Sequence, residues 1–274
     1  MLVFIILFAL LDLLVILSLL YLLWFVRPRK QWKPEHNALL CEYAHRGLHG
    51  NGIPENSLAA FSLACEQGFG MELDVQLSRD GQVMVFHDYT LTRMTGVEKK
   101  LCELDAAQLQ SLSLKDTDQA IPTFRQVLKL VNGRTPLLIE LKGESLNVDL
   151  CQKVADLLKD YQGAYCMESF NPLLVREIRK LLPHVPCGQL YTNVCRDKKK
   201  RSLRNLLLSS MALNFLAKPN FIAYNKKDRA SLPVRLTTKL YHAPKFVWTT
   251  KTEEELATAR DLGEHAIFER KDNA

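Results

Sequence analysis

The chain has 274 residues, with 36 Lys and Arg against 30 Asp and Glu and a formal net charge of +6. No recognisable nucleic-acid motif accompanies that basic balance, which argues against a nucleic-acid partner, and a basic domain beside a bilayer suits anionic headgroups instead. Seven cysteines, an odd number without paired spacing, fit a reducing compartment rather than a disulfide framework.

Residues 1–26 carry no charge except Asp12 and the amino terminus. At ~1.5 Å per residue, a helix of that length exceeds a hydrocarbon core of ~30 Å, so the segment is expected to be a transmembrane helix. A cleaved signal peptide is the rival reading, but it needs a basic leading region and a small-x-small cleavage site. Neither is found, and residues 21–26 are too bulky for such a site. Arg27, Arg29, Lys30 and Lys33 follow the apolar run and no Lys or Arg precedes it, so the positive-inside rule places the rest of the chain in the cytoplasm. Asp12 costs about 3 kcal/mol near a membrane centre; either it seeks a partner helix or its apolar neighbours outweigh it.

A basic juxtamembrane linker, 27–37, leads to a domain over 38–274. Strand-like runs fall at 39–44, 70–77, 82–86, 136–141, 164–168, 187–191, 221–224, 245–249 and 265–268. Helical spacing or start signals fall between them, at 58–67, 124–131, 146–161, 172–182, 202–216, 230–240 and 253–262. This alternation, over a length close to the ~250 residues usual for the fold, predicts an α/β (β/α)₈ TIM barrel. The stretch 88–120 is an extended connection or a small subdomain. The basic run 196–204 passes into an apolar stretch, read either as a solvated loop before an outer barrel helix or as a membrane-surface helix that steers a lipid-derived substrate inwards.

The chemistry-bearing residues fall at carboxyl ends of the expected strands, where such a barrel keeps its active site. Residues two apart on a strand point the same way, so Glu72 and Asp74 project together. Two adjacent carboxylates repel unless a cation lies between them. Glu140, sharing a face with Lys142, is a third candidate. Oxygen ligands suit Mg²⁺ or Ca²⁺, and the lack of Cys-x-x-Cys or His-x-x-x-His spacing argues against zinc. One divalent cation on Glu72, Asp74 and Glu140 is therefore expected, although Glu140 and Lys142 alternatively form a simple salt bridge. His45 and His87 end strands, and imidazole titrates near enough to neutrality to take a proton from a nucleophile or give one to a leaving alkoxide. Arg46 and Lys142 are placed to hold phosphate oxygens. Phe170, Tyr191 and Trp248 are possible substrate contacts or plain packing, and Asn56 reads as a turn or cap residue supporting the His45 loop.

The motifs His45-Arg46-Gly47, Pro54-Glu55-Asn56-Ser57, Glu72-Leu73-Asp74-Val75, Asp80-Gly81, His87-Asp88 and Thr90-Leu91-x-Arg93-x-Thr95-Gly96 resemble the glycerophosphodiester phosphodiesterase family. Later fragments agree, among them Ile139-Glu140-Leu141-Lys142 and Ser169-Phe170-Asn171-Pro172. The resemblance covers roughly residues 40–262. It implies a (β/α)₈ barrel with His45 and His87 as acid and base, Glu72, Asp74 and Glu140 on metal, and Arg46 and Lys142 facing phosphate. The chain departs from the family pattern at Thr250-Lys251-Thr252, where an Asn-Asp type turn is usual, and at Ile267-Phe268-Glu269-Arg270, where a Thr-Asp/Asn-x-Pro stretch is usual.

The expected activity is metal-dependent hydrolysis of glycerophosphodiesters to an alcohol and glycerol 3-phosphate. The alternatives are lysophospholipase D type hydrolysis of membrane lysophospholipids and a non-catalytic, membrane-bound lipid-binding scaffold. A phosphatidylinositol-cleaving phospholipase C barrel would use a similar His pair, but the Glu-x-Asp plus Glu-x-Lys pattern fits it less well.

Overall fold

The computed structural model describes residues 1–29, 32–143 and 145–270; Lys30 of the basic run lies outside them. α1 (Leu2–Leu20) continues into a π-turn over Tyr21–Phe25. Residues 3–25 form one apolar helix long enough to cross a bilayer.

The strands are β1 (Tyr43–Ala44), β2 (Gly70–Leu77), β3 (Val83–Val85), β4 (Leu137–Leu141), β5 (Tyr165–Ser169), β6 (Cys187–Tyr191), β7 (Phe221–Asn225), β8 (Lys245–Thr250) and β9 (His265–Phe268). All pair in parallel except β3, a short antiparallel edge on β2. β1 bonds to both β2 and β9, which closes an eight-stranded parallel barrel. The helices are α2 (Leu58–Glu66), α3 (Thr92–Thr95), α4 (Ala106–Gln110), α5 (Phe124–Val131), α6 (Val148–Leu158), α7 (Pro172–Leu181), α8 (Val194–Asp197), α9 (Leu203–Ser209), α10 (Asn214–Ala217), α11 (Leu232–Arg235) and α12 (Glu253–Asp261). Ser57, Thr123, Asn147, Asn171, Ser202 and Thr252 each accept a backbone N–H at a helix start, satisfying donors that the first turn leaves unpaired.

Alternation along the strands builds two layers. Met71, Leu73, Val75, Leu137, Ile139 and Leu141 pack into the large cluster that includes the helices. Tyr43, Leu138, Phe221 and Phe246 belong to a second cluster that fills the barrel. The Phe221 and Phe246 rings lie 4.5 Å apart. A Cβ at residue 188 would fall 2.1 Å from the Phe221 ring, so only glycine leaves room there.

Two expected elements differ. The run 39–44 is not one strand: a 3₁₀ turn occupies Pro34–Leu39 and only Tyr43–Ala44 pairs. Pro34 sits at the first turn with its φ already suited to a helix, and Leu39 packs into the barrel cluster, where its carbonyl accepts the Tyr43 hydroxyl at 2.8 Å. The run 202–216 is also not one helix. It breaks between α9 and α10 at Met211, whose φ is +52°, a left-handed conformation that a helix cannot continue.

Between β3 and α5, α3, a 3₁₀ turn at Leu101–Glu103 and α4 close over their own apolar cluster of Met84, Phe86, Leu91, Met94, Leu109 and Ile121. The end of the N-terminal helix is held against the barrel. Tyr21 donates to Ser210 O at 2.6 Å, Asn214 donates to Val26 O at 2.9 Å, and Phe25 meets Phe215 edge-on at 5.3 Å. Tyr241 donates to Leu22 O, and Val26 is fully buried.

Candidate active site

Register brings the carboxylates together. Asp74 on β2 lies opposite Glu140 on β4, and Glu140 lies opposite Glu168 on β5. Glu72 is two residues before Asp74, on the same face. All four are buried. Carboxylate oxygens of Glu72, Asp74 and Glu140 lie within 4.8 Å of one another. Lys142 reaches between two of them, 3.0 Å from Glu140 and 3.4 Å from Asp74.

This crowding shows in the charge states. Burial, then the Asp74 and Glu140 charges, push Glu72 well above the usual carboxylate range. Glu168 is raised for the same reasons, burial first and then Glu140 and Asp74. Burial and Asp74 outweigh Lys142 and bring Glu140 to about 7. Asp74 goes the other way: burial opposes its ionisation, but Lys142, His87 and Arg46 together hold it low. Asp74 Oδ1 is buried without a hydrogen-bond partner among the described residues. A buried all-oxygen cluster in which Asp74 Oδ1 makes no hydrogen bond among the described residues and only a 3.4 Å ion pair with Lys142 suits a hard divalent cation.

His45 follows β1, and its N–H donates to Phe268 O at 2.8 Å across the barrel closure. The turn beyond it has Arg46 and Gly47 at φ +56° and +78°. A Cβ at residue 47 would lie 2.9 Å from Ala60, so glycine is required. That turn aims the Arg46 N–H at Glu72 (2.9 Å), and the Arg46 guanidinium meets Glu55 at 2.6 Å and Asp74 at 3.6 Å. Asn56 donates to Asp74 Oδ2 at 2.9 Å, so it fixes a carboxylate as well as shaping the loop. Gln76 donates to the carbonyls of Phe86, His87 and Asp88, clamping the chain that carries His87.

Each imidazole has a carboxylate on Nδ1. His87 is 2.6 Å from Asp88, whose other oxygen takes Arg93 Nε at 2.6 Å. His45 is 2.6 Å from Glu269, whose other oxygen takes Lys251 Nζ at 2.5 Å. Burial lowers both imidazoles from their ordinary value, more than these partners raise them. Glu269 is held well below its usual range by the hydrogen bond with His45. An ionised carboxylate on Nδ1 keeps a proton there, so each ring takes up or gives up its exchangeable proton at Nε2. His45 Nε2 lies 3.9 Å from Glu72.

Every polar site residue expected from the sequence thus converges at one barrel end. Glu269, Lys251, Glu168, Glu55 and Arg93 were missed as members of it. Glu269 and Lys251 lie in the two stretches that depart from the family pattern, and nothing in either stretch alone shows that they meet. Of the aromatics, Phe170 and Trp248 pack edge-on at 5.6 Å and line a cavity of about 290 Å³ with His45, His87 and Glu72. Tyr191 is buried, with its hydroxyl spent on Ser209 O at 2.9 Å. It lines a second cavity of about 860 Å³, largely apolar, that shares His87, Glu140, Phe170 and Leu190 with the first.

Residues 45–269 match the glycerophosphoryl diester phosphodiesterase family. A glycerophosphodiester phosphodiesterase of Caldanaerobacter subterraneus is 30% identical over 82% of this chain and 91% of its own. A lysophospholipase D of Rattus norvegicus is 36% identical over 82% of this chain and 81% of its own. Among solved structures, an Oleispira antarctica phosphodiesterase in complex with the product sn-glycerol-3-phosphate superposes with a TM-score of 0.68 at 22% identity, covering 84% of this chain and 92% of its own. A Thermotoga maritima glycerophosphodiester phosphodiesterase gives 0.65 at 25% identity, over 82% of this chain and 92% of its own. The fold and site define a barrel phosphodiesterase. The chain belongs to the glycerophosphoryl diester phosphodiesterase family and is a phosphoric diester hydrolase.

Proposed function

We propose that this protein hydrolyses glycerophosphodiesters to an alcohol and glycerol 3-phosphate. The observation that carries the reading is the cluster of Glu72, Asp74 and Glu140, with a carboxylate-supported His45 and His87 lining the same cavity. Those three carboxylates would hold one divalent cation, Mg²⁺ or Ca²⁺, which when bound supplies positive charge for the phosphoryl oxygens. Arg46 and Lys142 bind the phosphate beside it. One neutral imidazole takes the proton of the attacking oxygen as its bond to phosphorus forms. The other histidine, protonated, gives a proton to the alcohol oxygen as the second P–O bond breaks. Asp88 and Glu269 keep the two rings aimed. The complete set of acid, base and anionic ligands speaks against the non-catalytic scaffold.

One observation favours a second substrate. The apolar cavity opens off the phosphate site, so a lysophospholipid could place its headgroup phosphodiester at His87 and its acyl chain among Leu207, Leu208 and Met211. In this reading the N-terminal helix spans the bilayer, and the barrel, joined to it through 27–37, lies on the cytoplasmic side.

The test is product release by the full chain from glycerophosphocholine, glycerophosphoethanolamine and lysophosphatidylcholine, with EDTA and then with Mg²⁺ or Ca²⁺ restored. Glycerol 3-phosphate from the first two, and its acylated form from the third, appearing only with metal, is the expected result. No turnover of any of them by a folded, metal-supplied protein sinks the proposal.

A further inference from the structure

The helix α9 is unusual for a barrel's outer layer. Its seven residues include Leu203, Leu206, Leu207 and Leu208, yet Asn205 is its only buried residue. Leu207 and Leu208 line the apolar cavity, Leu203 reaches its rim while 74% exposed, and Leu206, 49% exposed, lies outside it. A second exposed pair, Leu232 at 62% and Leu240 at 54%, lies on α11 and the π-turn that follows it.

Both pairs flank the same structure. Ser210, the residue after α9, accepts the Tyr21 hydroxyl, and Tyr241, the residue after the π-turn, donates to Leu22. The apolar N-terminal helix therefore ends between them. At ~1.5 Å per residue, Leu203 lies only ~10 Å along α9 from that contact. Cations adjoin both pairs: Arg27 stacks over the Tyr241 ring and Lys239 sits in the π-turn beside Leu240, while Lys198, Lys199, Lys200 and Arg201 directly precede Leu203. Exposed leucines beside clustered Lys and Arg are the composition of a helix that lies in a membrane interface.

The same short segment also bounds the cavity. Met211, Leu213 and Leu216 form cavity wall, while Asn214 and Phe215 between them hold Val26 and Phe25 of the N-terminal helix. The cavity is thus separated from the membrane-crossing element by one layer of chain, and its inner end is His87, Glu140 and Lys142.

We infer that this face is seated on the anionic leaflet that the N-terminal helix enters. Leu203, Leu206, Leu232 and Leu240 sink below the headgroups, and a monoacyl glycerophospholipid passes sideways from that leaflet into the cavity. The inference rests on the phosphodiesterase reading of the site for its chemistry, but the seating is physically independent of it.

The experiment uses the full chain in nanodiscs of phosphatidylcholine and phosphatidylglycerol. Turnover of lysophosphatidylcholine in the bilayer is compared with that of soluble glycerophosphocholine. Leu206→Ser/Leu240→Ser, two positions outside the cavity, should lower lysophosphatidylcholine turnover at least ~10-fold and leave glycerophosphocholine turnover unchanged. Leu208→Trp, which fills the cavity, should shift the ratio of the two kcat/KM values at least ~10-fold towards glycerophosphocholine. Seating is read separately: brominated lipid should quench the indole added by Leu206→Trp beyond the quenching seen in the unmodified chain. Equal quenching in both chains overturns the seating. Lysophosphatidylcholine turnover that is absent, or indifferent to both variants, overturns the lateral route. Loss of glycerophosphocholine turnover in the unmodified, metal-supplied chain overturns the phosphodiesterase reading instead, and the quenching still decides the seating.

Discussion

His45 and His87 differ in how far the chain travels to support them. His87 finds its Nδ1 partner in the next residue, Asp88, and the cation that holds Asp88 five residues further on, at Arg93. His45 finds its partner 224 residues away in Glu269, held by Lys251 from the far side of the barrel closure. The two arrangements are chemically alike, each an imidazole, a carboxylate and a cation in a line. One is assembled by a local turn and exists wherever that turn folds. The other exists only when β1 pairs with β9, so the site's completeness depends on the last strand of the barrel.

The largest expected effects test whether both ends serve one reaction. Glu72→Ala should abolish metal-dependent turnover while the barrel stays folded, since the residue's charge is opposed by burial and by Asp74; circular dichroism with a metal titration checks this. An unaffected rate removes Glu72 from the metal site. His45→Ala and His87→Ala should each lower kcat by ~10²–10⁴-fold without changing metal affinity. If metal affinity falls, the affected histidine is not acting as acid or base.

Glu269→Gln and Asp88→Asn address the supports themselves. Removing the partner that orients a functional histidine typically costs ~10–100-fold, and the parallel geometry predicts losses in kcat of similar size at both positions, with KM nearly constant. A loss confined to Asp88→Asn would show that the closure-built support is only packing. The outer cations should matter less and unequally. Lys251 is half exposed and should cost a few-fold when changed to Ala, whereas Arg93→Ala also frees Glu55, which Arg93 grips through two nitrogens at 2.7 and 2.9 Å.

Glu55 gives the most local effect, one of stability rather than turnover. Hydrogen bonding and charge from Arg93 and Arg46 overcome burial and bring it down to about 2. A depressed carboxylate contributes stability that is full above its unfolded-state value and disappears as pH falls through its folded value. Glu55 should therefore stabilise the fold by on the order of 2–3 kcal/mol at neutral pH, with the loss falling between about pH 5 and pH 2. Urea unfolding of the unmodified chain and of Glu55→Gln should differ near pH 7 and converge towards pH 2. A difference independent of pH would mean that the ion pairs are not its source.

Much of this is legible in the sequence alone. Glu72 and Asp74 announce a shared face by their spacing, Ser57 and Thr252 cap the helices they precede, and the apolar run at 1–26 declares its length. These properties depend on period, on local hydrogen bonding or on transfer from water, all set within a few residues. The failures were equally physical. Residues 39–44 are apolar enough for a strand, but most of that run turns under the barrel floor after the Pro34 3₁₀ turn. Residues 202–216 have a helical pattern, yet a left-handed residue at Met211 breaks it where Asn214 must reach Val26.

The sequence by itself determined the kinds of groups present and the faces on which they stand, because strand and helix periodicity are local. Tertiary structure alone decided which distant groups share one small volume: Glu168 beside Glu140 through strand register, and Lys251 and Glu269 behind His45 through closure of the ring. Register and closure are set by the packing of whole layers, and no stretch of residues carries that information on its own.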